Sequence, residues 1–86
     1  FVGPQFIDEN LQTINIFPNP VVSTVNITSI QLIEKIRIFD ISSRLCIQET
    51  PNKNNIVLDV SKLSKGLYTV EVFTRENSFM SKLIVQ

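Results

Sequence analysis

INIFPNPVVSTVNI, residues 14–27, decides how the rest of the chain is read. Ile14 and Ile16 alternate with Asn15 and Phe17, and after the prolines Val25 and Ile27 alternate with Asn26 and Thr28. A period of two is the mark of a strand with one buried face. Between the two patterns stand Pro18 and Pro20, astride Asn19. Each proline fixes its own φ, lacks an N–H, and holds the residue before it extended. The segment therefore stays stretched, yet two missing ladder donors keep it out of the middle of a sheet. It reads as a stiff element that ends one strand and carries the chain across to the other sheet; direct contact with a ligand is the lesser reading.

The same period runs through the rest of the chain. In residues 34–41, EKIRIFDI, Ile36 and Ile38 oppose Lys35, Arg37 and Phe39. In residues 45–50, LCIQET, Leu45 and Ile47 face away from Cys46 and Gln48. IVLDV (56–60), LYTVEVF (67–73) and FMSKLIV (79–85) complete a set of about seven short strands at roughly ten-residue spacing. SIQLIEK, residues 29–35, comes nearest to a helical pattern but is too short to stand as one. Short, closely spaced strands without helical crossovers pair antiparallel, so the expected fold is all-β, an immunoglobulin-like antiparallel sandwich of about seven strands.

Eighty-six residues make one small domain, burying roughly 60–65% of its unfolded surface and holding about 4–13 kcal/mol of stability. Cys46 is the only cysteine, so no internal disulfide staples it. Eight Lys/Arg balance eight Asp/Glu and are scattered, which argues against nucleic acid as a partner. No apolar run nears the ~20 residues of a transmembrane helix. Residues 1–10, FVGPQFIDEN, read as a linker or terminal arm cut from a longer protein, and residues 11–86 as the domain.

Two further stretches carry local signals. In residues 58–72, LDVSKLSKGLYTVEV, Gly66 offers a φ > 0 position. Tyr68 is placed to bury its ring and send its hydroxyl back to upstream backbone, as in the tyrosine corner of Greek-key sandwiches; sugar stacking is the lesser reading, since no other tyrosine and no tryptophan exist. In residues 39–45, FDISSRL, Asp40 is placed to accept backbone N–H bonds at the head of a tight turn, with Arg44 leading into the next strand. Glycine would suit that turn at Ser43.

Catalytic chemistry finds no footing. There is no histidine, hence no usual general base, zinc ligand or Ser-His-Asp triad. Cys46, in an alternating strand with nothing to activate it, reads as a small packing residue. The carboxylates form no metal-spaced cluster, and only Asp8-Glu9-Asn10 gestures at a calcium loop. Two glycines cannot build a phosphate-cradling loop. Asn26-Ile27-Thr28 matches a glycosylation acceptor but falls within a strand. The expectation is a protein that is not an enzyme, with no catalytic residue, metal or cofactor.

FPNP at the domain start, then VNI, IFDISSRL, LDVSKLSKGLYTVEV and a terminal KLIVQ resemble, in order and spacing, the C-terminal sorting domain of the type IX secretion system (type A class) of Bacteroidetes exported proteins. The resemblance covers residues 14–86 and implies an immunoglobulin-like address label at the end of a larger cargo. The cargo would pass the periplasm, cross the outer membrane through the translocon, and lose the domain to a sortase-like peptidase, which releases it or attaches it to anionic lipopolysaccharide at the surface. Pro18, Asn19 and Pro20 match the family's PNP signature, Asp40 and Arg44 its turn block, and Gly66 and Tyr68 its late motif. Ser81, Lys82, Leu83, Ile84, Val85 and Gln86 match the final strand on which export depends, and so form the expected translocon contact. Ser43 and Val85 depart from the pattern, standing where glycine and a second lysine are frequent.

A terminal strand at a sheet edge suits this role. Its unpaired backbone groups could be extended by a partner, with Lys82 discouraging promiscuous pairing; the same edge would permit a dimer. Gln86 reads as a natural C-terminus, as a sorting domain requires. The arm before Leu11 is the natural place for the peptidase to cut. The competing reading is an immunoglobulin- or fibronectin-like adhesion or carbohydrate-binding module, which should show an exposed aromatic or apolar patch. A spacer in a multidomain enzyme is a third.

Overall fold

One bent strand organises both layers. In the computed structural model, which describes residues 14–86, β1 is Ile14–Phe17, β2 Thr24–Phe39, β3 Leu45–Glu49, β4 Lys53–Asp59, β5 Gly66–Thr74 and β6 Ser78–Val85. The arm of residues 1–10, with Asp8-Glu9-Asn10, lies outside the described residues. The first half of β2 pairs with β1 and β4, and the second half with β3 and β5, all antiparallel. β6 completes the second layer on the far side of β5. Because β2 serves both layers, six strands fill the seven places of the expected sandwich.

The bend follows from chain connectivity. Drawn straight, the 16 residues of β2 would span about 53 Å. Yet Asp59, paired with Thr24 at one end of β2, is joined to Gly66, beyond the other end, by a loop that reaches only about 25 Å. The two halves of β2 must therefore fold back on each other, and the register slips between Thr28 and Ile33 where they do. There the Asn54 amide donates to the carbonyls of Ser29 (3.3 Å) and Ile30 (2.9 Å), satisfying groups that the ladder leaves over. VNI and EKIRIFDI, expected as separate strands, are thus one strand running through residues 29–33. The alternation is broken at the bend, where Ile30 and Leu32 are both exposed.

The core sits where the two halves of β2 face each other. Val25, Ile27, Ile36 and Ile38 are fully buried, against Val70 and Val72 of β5, Leu83 and Val85 of β6, and Leu58 and Val60. Ile14 and Ile16 pack against this cluster only in part, because β1 is an edge strand. β3 is the outermost strand of its sheet and commits only Ile47 to the core. Cys46, expected as a small packing residue, is exposed; its thiol donates to the Arg44 carbonyl at 3.5 Å.

Ile36 lies at the centre of this cluster with no exposed surface. Ile36→Ala should cost about 2–5 kcal/mol, the range for truncating a close-packed core residue, read as a lowered urea midpoint at unchanged slope.

Candidate recognition surface

The residues singled out in the sequence gather at one end of the sandwich. The first cluster is a latch between the proline segment and the last strand. After β1 the chain leaves its own sheet and lies along the outer edge of β6. Pro18 and Pro20, both after cis peptide bonds, have no N–H to offer, so the hydrogen-bonding load falls on the Asn19 side chain. Asn19 Nδ2 donates to the Lys82 carbonyl at 2.9 Å, and the Ile84 N–H donates to Asn19 Oδ1 at 3.0 Å. An amide presents one donor face and one acceptor face, as a peptide group does, so Asn19 stands in for a strand residue. Val21 continues the contact as a short parallel bridge to Val85, donating to the Ile84 carbonyl and accepting from Gln86 N–H, each at 2.8 Å.

This corrects the expected free edge. Over residues 82–85 the last strand already has partners on both sides, β5 on one and the Asn19–Val21 segment on the other. Leu83 and Val85 belong to the core, leaving the side chains of Ser81, Lys82, Ile84 and Gln86 outside. Val85, where a second lysine was the expected pattern, is only 3% exposed. Below the latch, among the described residues, no strand pairs with residues 78–81 on the side away from β5. An open groove of about 390 Å³ there is lined by Ile14, Ile16, Val70, Val72, Phe79 and Met80.

The second cluster joins the turn after β2 to the loop before β5. Asp40 Oδ1 accepts the N–H groups of Ser42 (2.8 Å) and Arg44 (3.0 Å), while Arg44 Nε reaches Oδ2 at 3.3 Å. The Arg44 N–H, followed by the other N–H and guanidinium contacts, holds the Asp40 carboxyl below its ordinary range, against an opposing pull from burial. Ser43 has φ 66°, so the turn takes a left-handed residue without a glycine, at a cost of about 1–2 kcal/mol. Gly66 has φ 153° and open space where a Cβ would sit; its backbone, not crowding, requires glycine. The buried Tyr68 hydroxyl donates to the Ser64 carbonyl at 2.6 Å, tying down the loop that Asp59 opens by accepting the Ser61 N–H at 2.9 Å. The Ser61 hydroxyl and N–H hold the Asp59 carboxyl low as well.

Asp40, Arg44, Gly66 and Tyr68 line one groove of about 380 Å³. The latch is its neighbour, since Gly66 pairs with Val85 and Val85 bridges to Val21. Sequence reasoning missed that Asn19 grips β6, although an asparagine between two residues lacking N–H groups signals a side chain that must bond elsewhere. It also missed Lys62 and Lys65 on the groove wall. Among the described residues no three His, Cys, Asp or Glu side chains gather as metal ligands, and no helix is long and apolar enough to cross a membrane.

A family model described as "Secretion system C-terminal sorting domain" matches residues 15–86. Among solved structures, the chain is similar in fold to a chain from work on PorZ, an essential bacterial surface component of the type-IX secretion system of Porphyromonas gingivalis. The TM-score is 0.73 at 21% identity, covering 98% of this chain and 13% of that one. No curated protein matches in sequence.

Asn19→Ala removes both side-chain bonds and strands their backbone partners. It should cost about 1–3 kcal/mol and speed amide hydrogen exchange at Ile84 and Gln86. The lowered pKa values of Asp40 and Asp59 mean that their ionised forms stabilise the fold fully above the ordinary carboxyl value of about 4. That contribution is lost as pH falls through the folded-state values. The urea midpoint should decline below about pH 4, and Asp40→Asn should start lower at neutral pH and decline less.

Proposed function

We propose, for a chain that belongs to the secretion system C-terminal sorting domain family, that it is the address label of a larger cargo, read at its latched end by the type IX translocon. The observation that carries this reading is the Asn19 grip on Lys82 and Ile84. It makes the family's signature segment and its export strand a single rigid unit, so a receptor meets one surface formed by both. The likeness in fold to a chain from work on a type-IX surface component points to the same system.

The receptor reads a folded domain. Of the last strand it touches Ser81, Lys82, Ile84 and Gln86, while Leu83 and Val85 hold that strand against the core. Pro18, Asn19 and Pro20 set the strand's position, and Asp40, Arg44, Gly66 and Tyr68 set the adjoining groove. The cargo crosses the periplasm, passes the outer membrane and reaches the cell surface or medium. A sortase-like peptidase removes the domain by cutting ahead of β1, releasing the cargo or joining it to anionic lipopolysaccharide. No step requires chemistry by the domain itself, which acts as ligand and protease substrate.

The test fuses residues 11–86 to a leader-bearing fluorescent reporter in a bacterium with a type IX system. The reporter should reach the surface or medium, and remain in the periplasm of a translocon-deficient strain. Lys82→Glu with Ile84→Gln changes only exposed side chains and should retain most folding while lowering export severalfold. Unchanged export of a reporter lacking residues 82–86 overturns the reading.

A further inference from the structure

We propose that the groove between the Asp40 turn and the loop before β5 docks an extended acidic peptide segment of the export machinery; this rests on the sorting reading above. Three cations stand on its walls: Arg44, Lys62 and Lys65. The carboxylate facing them, Asp40, is already engaged by two backbone N–H groups and by Arg44 Nε, and only 19% of its side chain is accessible. Arg44 is 81% exposed and gives Asp40 a single long contact, so the rest of its guanidinium fork faces solvent. Neither lysine makes an ion pair within 4.0 Å among the described residues. Lys62 feels the field of Asp59, but that carboxylate is spent on capping Ser61 and lies outside the groove.

The apolar part of the lining selects a peptide over a small anion. Ile41 is 80% exposed at the tip of the turn and Leu67 is 41% exposed across from it, with Leu63 half-buried between the loops. A phosphate or a free carboxylate would leave these side chains in water. An extended segment alternating acidic and apolar residues would set carboxylates against the cations and cover the apolar floor, satisfying both features by charge and shape complementarity. The Tyr68–Ser64 bond holds the lysine-bearing loop and the Asp40 bonds hold the arginine-bearing turn, so the walls are formed before a partner arrives.

The test titrates a synthetic Glu/Leu-alternating nonapeptide into the full chain, followed by backbone amide shifts. A Gln/Leu peptide of the same length and inorganic phosphate serve as the other probes. The acidic peptide should shift amides of residues 41–46 and 62–67, at least tenfold more tightly than the Gln/Leu peptide and with affinity falling as salt rises. Lys62→Gln with Lys65→Gln, which leaves the Asp40 turn intact, should weaken it at least fivefold at an unchanged urea midpoint; adding Arg44→Gln should weaken it further. Equal binding of the two peptides, shifts confined to other faces, or phosphate binding as tight as the acidic peptide overturns the proposal. In the export assay the double lysine variant should be retained more than the parent domain. Normal export of that variant beside normal export of the parent sinks the docking proposal alone, whereas failure of the parent sinks the sorting reading itself.

Discussion

Two hydrogen bonds from one amide hold the seam of this sandwich. Asn19 reaches β6 where the prolines on either side of it have no N–H to offer, and Val21 then joins the same edge through its backbone. Without them the last strand would be held from one side by β5 alone, with Leu83 and Val85 kept in the core by packing only. Edge strands are where β proteins aggregate or recruit partners, and folds manage the hazard by covering or interrupting the edge. This molecule covers the upper half of β6 with a segment that cannot itself propagate a sheet, because Pro18 and Pro20 lack the N–H that a further strand would need.

The shared strand β2 makes the two layers mechanically one. Each sheet draws its central ladder from the same 16 residues, so neither layer forms a finished surface while the other is absent. The outward faces differ in character. On the β2–β5 face, Lys35 and Arg37 both lie over the Phe73 ring, at 5.1 and 5.7 Å, and Arg37 also holds Gln48. On the face made by β1, β2 and β4, paired rows such as Asn15, Thr28 and Asn55 are uncharged. The residues singled out by the motifs lie at neither face but at the end where turn, loop and latch meet.

What the sequence disclosed and what it hid divide along physical lines. The period of two found the buried faces at Val25 and Ile27, Ile36 and Ile38, and Val70 and Val72, because burial on one side of a pleat leaves a local pattern. Tyr68 was legible for the same reason: its partner Ser64 is four residues away. The continuity of β2 through residues 29–33 was not, since a bend exposes Ile30 and Leu32 and erases the alternation that would have announced a strand. Cys46 was read as a packing residue from its residue type, although the alternation sets it on the face of Gln48, opposite Ile47, and that face is exposed. The Asn19 contacts span 63 and 65 residues, and no local pattern records a bond of that reach. The family motifs marked these positions without saying that they touch.

That span has a consequence for the order in which the fold can close. Asn19 finds its partners 63 and 65 residues further along, so the seam cannot shut on a polypeptide that stops before Lys82. A product ending before Lys82 would keep most of its strands yet lack the closed corner. Placing the two halves of the seal at opposite ends of the fold makes the shut corner a sign that every strand between them is in place.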